Sequence, residues 1–429
     1  MDKWTYESAG QSIYAFDDLT YSQKELLILY CNEHFPPSVF NRHLDCRKRA
    51  MDNAKRLKDA LDGVVQKFPP LVNCNPANIN QDDLGDVTII LTAGGDGERL
   101  KKSLIDKGVS GLELKNFTKA TYPLPDFFSG FGALHANLCL VAALSKQHNV
   151  DIPVVITTGP AGSTTARVIP EIIGKHNNFG LKHIEIVEQE ERLHFTMDNK
   201  MAYKFSGDDI RPVTHPDETG GPLMSLKRGK NGRQSILSQL EGLGCAKMIV
   251  LQATGLYEPY VLFAMASALK YYDCIGAGIL RETFTERDPF GTYVSIVNNT
   301  AEKVIIVEQE IRNRTTMSIK DDTNRYYLPY NTGLYAFKKD MLAGADLPDY
   351  ATPPKEILQG LPKSPKIGYA ATDIFSLSGK TAVLSVPPAS FAVIKNSNDL
   401  QALSDLGKRA GILEMCRKVS FDSGFCHTL

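Results

Sequence analysis

The chain has 429 residues, of which 43% are hydrophobic and 23% are charged, so it can bury a sizeable core and is not disordered overall. Lysine plus arginine total 48 and aspartate plus glutamate total 49, and this net charge of −1 argues against general binding to nucleic acid or to membrane surfaces. The sequence shows no signal-peptide pattern, no membrane-length apolar run and, among its 8 cysteines, no C-x-x-C pair. These features predict a cytoplasmic protein with reduced, mostly buried thiols.

The first part of the chain is predicted to be helical. Ser22 and Glu25 have the S-x-x-E spacing of a capping box just ahead of an apolar run. A second run, over about residues 45–67, repeats its apolar positions at helical spacing. Proline, asparagine and aspartate then dominate residues 69–86, which is typical of a connection between two parts of a chain. We therefore expect a helical N-terminal region over residues 1–84.

From residue 87 onward, short apolar runs alternate with helical stretches. The pattern predicts helices over 133–147, 163–176 and 258–272, a hairpin over 292–298 and 303–307, and further strands over 87–92, 152–157, 184–187, 247–252, 275–280, 326–337 and 381–386. Strands without polar alternation, separated by helices, indicate a Rossmann-like, mainly parallel sheet covered on both faces. The main domain is expected over residues 85–395, followed by a short C-terminal segment, 396–429.

The most informative stretch is the glycine-rich turn LTAGGDGERL, which directly follows the first of these strands. Its small residues would let backbone N–H groups approach a phosphate chain, and Arg99 would add a fork of donors for phosphate oxygens. The spacing is that of neither a dinucleotide fingerprint nor a P-loop, and a tight strand-to-helix turn is the simpler alternative. The candidate nucleotide-binding residues of this turn are Ala93, Gly94, Gly95, Asp96 and Gly97.

This turn resembles the signature loop of the sugar nucleotidyltransferases, and the order of later segments resembles the eukaryotic-type UDP-sugar pyrophosphorylases, most closely the UDP-N-acetylhexosamine pyrophosphorylases. The segment KATYPL is similar to that family's P-K-G-x-Y and places Lys119 on a phosphate-binding lysine. The segment ending in VEQ places Gln189 on a uracil-reading glutamine, and HPDETGG places Gly220 and Gly221 in a loop against the base. IKN places Lys395 on a second lysine of the site.

The same resemblance implies a sugar site and a metal site. YNTGL is similar to a sugar-binding N-A-G-N segment and implicates Asn331 and Gly333, and VEQE implicates Glu308 and Glu310, which we expect on one face of a strand. DIF places Asp373 on a carboxylate that holds Mg²⁺. The resemblance thus implies the nucleotidyltransferase type of Rossmann-like fold, which is similar to GT-A, over about residues 85–400.

Two departures from the family pattern concern charge. Glu98 stands where a threonine is usual and adds a negative charge beside the expected triphosphate site. The segment LQATGL stands where the family has V-D-N, so Ala253 or Thr254 replaces an aspartate that would hold Mg²⁺. Mg²⁺ binds through one or two carboxylates plus phosphates and water. We therefore expect Mg²⁺ to bind weakly, with Asp373 as its protein ligand and Thr254 as a substrate contact.

The function that the resemblance implies is transfer of a nucleoside monophosphate from an NTP, with UTP expected, to a sugar 1-phosphate or similar cyclic phosphate. Arg99, Lys119 and Lys395 would neutralise phosphate charge during this transfer. The alternatives are a catalytically weak nucleotide-binding or regulatory homologue and a glycosyltransferase that uses a UDP-sugar. The latter should show an acidic pair after a strand, and the pairs Asp208–Asp209 and Asp321–Asp322 do not follow apolar runs.

Simpler explanations remain for the single residues. The lysines and Gln189 could be solvated surface groups, Asp373 a helix cap, Glu308 and Glu310 a solvated sheet face, and Asn331–Gly333 a turn. The sequence leaves the sugar and the oligomeric state open.

Overall fold

The computed structural model describes residues 2–73, 81–95, 97–127, 130–207, 209–229, 234–298, 301–358 and 360–422. The chain divides into two compact units, each assembled from separate stretches of sequence. The first unit consists of Met1–Gly63, Glu190–Gly221 and Leu347–Asp373, and the second consists of Val64–Gln189, Pro222–Asp346 and Ile374–Leu429. The boundaries that the sequence suggests, after residues 84 and 395, stay a prediction about segments along the chain.

The strands are, in chain order, β1 (Val65–Lys67), β2 (Leu71–Asn73), β3 (Val87–Thr92), β4 (Val154–Thr158), β5 (Ile184–Glu188), β6 (Glu191–Leu193), β7 (Tyr203–Ser206), β8 (Asp209–Pro212), β9 (Thr214–Pro216), β10 (Lys247–Gln252), β11 (Gly255–Tyr257), β12 (Cys274–Arg281), β13 (Thr292–Asn298), β14 (Ala301–Val307), β15 (Tyr327–Lys338), β16 (Asp349–Ala351), β17 (Ile367–Tyr369), β18 (Thr381–Ser385) and β19 (Phe391–Val393).

The helices are, in chain order, α1 (Tyr6–Ser12), α2 (Tyr21–His34), α3 (Pro37–Gly63), α4 (Glu98–Ile105), α5 (Ala133–His148), α6 (Thr164–Lys175), α7 (Gly221–Leu226), α8 (Ile236–Gly242), α9 (Pro259–Ala268), α10 (Arg314–Ser318), α11 (Lys339–Gly344), α12 (Asp399–Arg409) and α13 (Ile412–Asp422). No helix in the described ranges is both long enough and apolar enough to cross a membrane.

The second unit is built on one mainly parallel sheet, in the order β2-β18-β12-β15-β10-β3-β4-β5. Neighbours in this order run parallel except for the two pairs that β15 makes, with β12 and with β10. β13 pairs antiparallel with β14, β1 and β15. Because β3 is buried along both faces up to Leu91, its sequence is apolar without alternation. The predicted α/β fold class is confirmed.

The carboxyl ends of β3, β4, β5 and β10 lie at one edge of this sheet, because these strands run parallel to one another. In open α/β sheets this edge is where ligands bind. The chain segments that follow those strands therefore define where a functional site is to be sought.

The first unit combines α1, α2 and α3 with three small antiparallel pairs, β6 with β9, β7 with β8 and β16 with β17. Its core gathers aromatic side chains, among them Trp4, Phe35, Phe40 and Phe195. The indole N–H of Trp4 donates a hydrogen bond of 2.8 Å to the carbonyl of Phe35, so this buried polar group is satisfied.

Most predicted elements are confirmed, and two details of the helical prediction are wrong. Residues 87–92 and 247–252 form β3 and β10, and the predicted hairpin is β13 with β14. The capping box before α2 is made by Thr20 and Gln23, not by Ser22 and Glu25, because the helix begins one residue before Ser22. The run predicted over about residues 45–67 is helix α3, which begins earlier, at Pro37. Proline is accepted there because the N–H groups in the first turn of a helix have no partner within the helix.

Candidate active site

The glycine-rich turn connects β3 to α4 at the carboxyl edge of the sheet. Ala93 is 4% exposed and belongs to the core, so it anchors the turn and presents no side chain to a ligand. Gly97 caps the N-terminus of α4 with a φ of 68°, a left-handed conformation that favours glycine. A Cβ on Gly97 would lie 2.9 Å from Cβ of Lys119. Asp96 lies outside the described residues.

Gln189 lies directly against this turn. A Cβ on Gly94 would lie 2.0 Å from Oε1 of Gln189, so only glycine leaves room for that carboxamide. The backbone N–H of Gln189 donates to the carbonyl of Thr158 at 3.2 Å, which fixes it at the carboxyl end of β5. Gln189 is 7% exposed, so it is not the solvated surface residue of the simpler explanation. By contrast, Gly95 is exposed and has open space around its Cα.

Lys395 reaches the same edge of the sheet by another route. β19 pairs with β11, and the N–H of Ile394 then donates to the carbonyl of Thr254 at 2.9 Å. Oδ2 of Asp399 accepts the backbone N–H groups of Lys395 at 2.8 Å and Asn396 at 2.7 Å. Ser397, the next residue after Asn396, contacts α4, because the hydroxyl groups of Ser103 and Ser397 lie 2.6 Å apart.

Arg99, Lys119 and Lys395, which we call the cation cluster, come together beside the turn. Burial, followed by repulsion from Arg99 and Lys395, lowers the pKa of Lys119 below its usual range. Burial, followed by repulsion from Arg99, lowers the pKa of Lys395, and Asp399 opposes both shifts. Both lysines are half-buried, whereas Arg99 is exposed. Cations that repel one another in a partly desolvated place are suited to an anionic ligand, because the ligand relieves the repulsion.

The carboxyl end of β10 supplies an amide in place of a carboxylate. Ala253 is fully buried in the core, Thr254 is 8% exposed, and neither side chain carries a carboxylate. The side chain of Gln252, the last residue of β10, lies against β15, because its Nε2 would lie 2.2 Å from a Cβ on Gly333. Gly333 has a φ of 80°, so both its conformation and this contact require glycine.

Asn331 lies on β15, two residues before Gly333, which contacts Gln252. Hydrogen bonds within the protein hold the side chain of Asn331. Its Oδ1 accepts hydrogen bonds from the hydroxyl of Tyr293 at 3.0 Å and from the N–H of Gly333 at 2.8 Å. These two bonds fix the carboxamide plane. The turn-like contact with Gly333 is therefore present, the side chain is half-buried, and the sugar-binding role of Asn331 stays a prediction.

Glu308 and Glu310 do not share a strand face, so that prediction is wrong. β14 ends at Val307, Glu308 precedes a 3₁₀ turn over Gln309–Ile311, and Glu310 lies in that turn and is exposed. The direction change places Glu308 against Gly291, where a Cβ would meet its carboxylate at 2.9 Å. Burial, followed by repulsion from Glu310, raises the pKa of Glu308, while Arg312 opposes the shift.

Gly220 and Gly221 belong to the first unit, where packing within that unit explains both glycines. The N–H of Gly220 donates to the carbonyl of Tyr369 at 2.7 Å, and a Cβ on Gly220 would lie 2.8 Å from the backbone of Tyr369. A Cβ on Gly221 would lie 1.6 Å from Oδ1 of Asp217. Their predicted contact with a base stays a prediction.

Asp373, the predicted metal ligand, is half-buried and lies in a 3₁₀ segment, Ala371–Leu377. Among the residues that the structure describes, no three His, Cys, Asp or Glu side chains lie close enough together to hold a metal ion. Mg²⁺ bound with a nucleotide needs only one or two carboxylates in addition to phosphates and water, so the role of Asp373 as a metal ligand stays a prediction.

Gln252 and Phe290 lie at the site although sequence reasoning did not select them. Gln252 is the last residue of β10, and a polar residue at the carboxyl end of an apolar parallel strand was a usable signal. Phe290 lies 3.4 Å, measured from its ring centroid, from Nζ of Lys395. Nothing in its local sequence pattern indicates that contact, because the two residues are far apart along the chain.

No protein-family model and no curated protein matches the sequence. Solved structures do match it. They include the UDP-N-acetylglucosamine pyrophosphorylase from Trypanosoma brucei, with a TM-score of 0.67 at 12% identity over 94% of this chain and 82% of that chain. A protein from Entamoeba histolytica described as a UDP-N-acetylglucosamine pyrophosphorylase matches with a TM-score of 0.59 at 17% identity, over 77% of this chain and 84% of that chain.

A mutant of the UDP-glucose pyrophosphorylase from Leishmania major matches with a TM-score of 0.58 at 16% identity, over 79% of this chain and 70% of that chain. The chain therefore has the fold of the UDP-sugar pyrophosphorylases, as the resemblance of its sequence motifs predicted.

Proposed function

We propose that the protein is a sugar nucleotidyltransferase that joins a sugar 1-phosphate, or a similar cyclic phosphate, to the nucleoside monophosphate of UTP and releases pyrophosphate. The fold supports this class of reaction. The single observation that carries the proposal is the cation cluster of Arg99, Lys119 and Lys395 beside the glycine-rich turn, at the sheet edge where ligands bind.

In this reaction a phosphate oxygen of the sugar 1-phosphate attacks the α-phosphorus of UTP. A bond forms between that oxygen and the α-phosphorus, and the bond to the bridging oxygen of the β-phosphate breaks, so pyrophosphate leaves. The protein supplies position and positive charge rather than covalent chemistry. Arg99 and the amides of the turn would hold the outer phosphates, and Lys119 and Lys395 would neutralise charge around the α-phosphorus and the sugar phosphate.

The choice of UTP rests on Gln189, whose carboxamide offers one donor and one acceptor group to a base. Its carboxamide lies against Gly94, close to the turn on which the phosphates would lie. Asn331, Gly333, Thr254, Glu308 and Glu310 remain the proposed sugar contacts. A cytoplasmic location is part of the proposal, and the described cysteines, which are free and buried, agree with it.

Mg²⁺ is proposed to come with the nucleotide rather than to be held by a carboxylate after β10. In this proposal the phosphates and water supply most of the ligands of the ion, with Asp373 as the protein ligand that the sequence suggests. Titration of turnover with Mg²⁺ tests this, and a tight, saturable requirement that Asp373→Asn abolishes would confirm the predicted metal ligand.

The test of function is exchange of labelled pyrophosphate into NTP, with a panel of NTPs and sugar 1-phosphates. We expect exchange with UTP and one class of sugar phosphate, and loss of about a hundredfold or more in Lys395→Ala without loss of melting temperature. Lys102→Ala, which changes an exposed lysine on α4, is the matched control. Exchange with no NTP, or an unchanged rate in Lys395→Ala, would exclude the proposal.

A nucleotide-binding protein without turnover is the second candidate. The observation that favours it is the absence of a carboxylate at Gln252, Ala253 and Thr254, the residues that end and follow β10. Binding of UTP in calorimetry without pyrophosphate exchange would select this candidate. No observation favours the glycosyltransferase alternative: Asp209 pairs with Arg211, Asp321 accepts backbone N–H groups of its own turn, and Asp208 lies outside the described residues.

A further inference from the structure

The ammonium of Lys395 lies over the face of an aromatic ring. Its Nζ is 3.4 Å from the ring centroid of Phe290, well inside the range of a cation–π contact. Phe290 is also stacked on Tyr330, with ring centroids 4.7 Å apart and an interplanar angle of 28°. The ammonium and the Tyr330 ring cannot occupy the same face of Phe290, so they lie on its two opposite faces.

The turn that presents Phe290 is held by several bonds. The N–H of Phe290 donates to Oδ1 of Asp288 at 3.1 Å, and Oδ2 of Asp288 lies 2.6 Å from Nη1 of Arg281. Arg281 is 7% exposed and donates to the carbonyl of Leu328 and the hydroxyl of Thr292, each at 2.8 Å. Buried hydrogen bonds therefore fix the segment that carries the Phe290 ring.

The side-chain nitrogen of Lys395 has no comparable hydrogen bond to the residues that the structure describes. Its backbone is fixed by Asp399, but a lysine side chain has several rotatable bonds beyond that point. Repulsion from Arg99 would drive the ammonium away from the cluster. The negative face of the Phe290 ring attracts it and keeps it beside the turn.

We propose that Phe290 is a positioning residue that holds the ammonium of Lys395 in the cation cluster, ready for the phosphate of the substrate. This proposal rests on the proposed function for its catalytic consequence, but the contact itself can be measured without turnover. It also identifies a stretch, residues 288–291, that none of the family-like motifs covers.

The test compares Phe290→Leu with Phe290→Tyr, which keeps the ring, and with Phe284→Leu as the matched control. Phe284 lies on the same connection between β12 and β13, and its ring centroid is 4.0 Å from Cζ of Arg281. Reductive methylation with an isotope label adds a nuclear magnetic resonance probe to each lysine and keeps its charge. The Lys395 signal is assigned by its loss in Lys395→Arg.

In the wild type, in Phe290→Tyr and in Phe284→Leu, the ring current should move the Lys395 methyl signal upfield. In Phe290→Leu the signal should return to the position of exposed lysines while the melting temperature stays close to that of the wild type. The Michaelis constant for the sugar 1-phosphate should rise about tenfold in Phe290→Leu alone, because Lys395 is assigned to the sugar phosphate and the α-phosphorus. A Lys395 signal that is the same with and without the ring would overturn the proposal.

The two proposals can fail separately. If no NTP turns over but the upfield shift depends on Phe290, the proposed function fails and the positioning contact stands. If turnover is present and the Michaelis constant of Phe290→Leu for the sugar 1-phosphate equals that of Phe284→Leu, the function stands and the positioning role is wrong. Phe290→Leu could also lower the melting temperature. In that case, wild-type values of the Lys395 methyl shift and of the Michaelis constant in Phe290→Tyr would still show that the aromatic ring is what positions Lys395.

Discussion

At Gly94 the chain has no room for a side chain, because a Cβ there would lie 2.0 Å from Oε1 of Gln189 and 3.2 Å from the backbone nitrogen of Gly159. At Gly95 no heavy atom lies within 4 Å of the same position. We expect Gly94→Ala to displace the Gln189 carboxamide and weaken UTP binding about tenfold or more, whereas Gly95→Ala leaves the fold unchanged. Titration calorimetry with UTP and thermal melting measure the two effects.

The adjacent Gly95 provides the complementary measurement. A larger side chain in Gly95→Val should keep the melting temperature and abolish UTP binding, because its bulk would cover the backbone amides of the turn. Equal UTP affinity of Gly95→Val and the wild type would rule out the turn as a phosphate site.

Lys119 illustrates a conflict between stability and function at a single residue. Its pKa is lowered by burial and by Arg99 and Lys395, so the charged form is disfavoured in the folded state. A lowered lysine pKa gives stability that is complete above the pKa of the unfolded chain and is lost as the pH falls through the folded value. At pH 7 the charge therefore destabilises the fold.

We expect Lys119→Met to raise the melting temperature at pH 7 by about 1–3 °C and to lower turnover strongly. The gain in melting temperature should shrink as the pH rises toward 10, where the wild-type lysine loses its charge. Lys102→Met, on the exposed side of α4, should change neither quantity. A lower melting temperature for Lys119→Met at pH 7 would contradict the repulsion within the cation cluster.

Two neighbouring residues at the end of β10 should respond oppositely to an introduced carboxylate. Ala253→Asp would bury a charge in the core and should destabilise the protein by about 3 kcal/mol or more. Gln252→Asp places the carboxylate at the half-buried sheet edge beside Gly333, so the fold should survive. We expect Mg²⁺ to activate Gln252→Asp at a lower concentration than the wild type, and calorimetry with Mn²⁺ to show tighter binding. An unchanged Mg²⁺ titration would place the metal elsewhere.

At the scale of elements, Asp399 joins the start of α12 to the segment that carries Lys395. Its Oδ2 accepts two backbone N–H groups, of Lys395 and of Asn396. Asp399→Ala leaves both without this acceptor and should cost about 1–3 kcal/mol of stability, with a loss of turnover. Asp399→Asn keeps an acceptor oxygen and should cost less. Asp405→Ala, an exposed acid on the same helix, is the control, and equal losses in all three variants would contradict this role.

The strands of the sheet were predictable because they are apolar on both faces and have clear boundaries. β3 and β10 match their predicted ranges, since burial of both faces requires the continuous apolar sequence that the pattern detects. Helices α12 and α13 were not predicted, although their buried positions join the main core. Leu400, Leu403 and Leu406 of α12 recur at a spacing of three, so the helical pattern is present in the sequence and the prediction missed it.

The site was predictable only in part, because a local sequence pattern reveals only the residues that stand in motifs. Arg99, Lys119, Gln189 and Lys395 were selected because each stands in a recognisable motif. Phe290 and Gln252 lie at the same site through contacts between distant parts of the chain, which no local pattern records. Glu308 was assigned to a strand because the apolar run of β14 gives no sign of where it stops.

At the scale of the whole molecule, each compact unit combines three separate stretches of the chain. A pattern read along the sequence detects local periodicity, so it places residues 190–221 in the main domain on the strength of neighbouring strands. The contacts that assign them to the first unit are long-range, such as the hydrogen bond of 3.3 Å that the N–H of Leu193 in β6 donates to Nδ1 of His43.

The first unit contains three buried histidines, His43, His194 and His215, whose pKa values are lowered mainly by burial. The pKa falls to about 3 for His43 and His215 and to about 4 for His194. Arg192 adds repulsion at His43, Arg47 and Lys366 at His194, and His194, Lys366 and Arg192 at His215, where the carbonyl of Pro216 opposes the shift. All three are therefore neutral in the folded protein at pH 7.

These pKa values are lower in the folded unit than in the unfolded chain, so the folded unit favours the neutral histidines. The stability that the neutral histidines contribute is therefore complete above about pH 6.5 and is lost as the pH falls toward 3–4. Below pH 6.5 each histidine favours unfolding by roughly 1.4 kcal/mol per pH unit, or about 2 kcal/mol at pH 5. Urea unfolding can be followed specifically in this unit, since the single tryptophan, Trp4, lies in its core. His194→Gln should make the fall in stability between pH 7 and pH 5 shallower by about one third, whereas His34→Gln, at an exposed position on α2, should leave it unchanged. A stability that is flat between pH 7 and pH 5 would mean that these histidines take up protons in the folded unit at the same pH as in the unfolded chain, and would contradict the lowered pKa values.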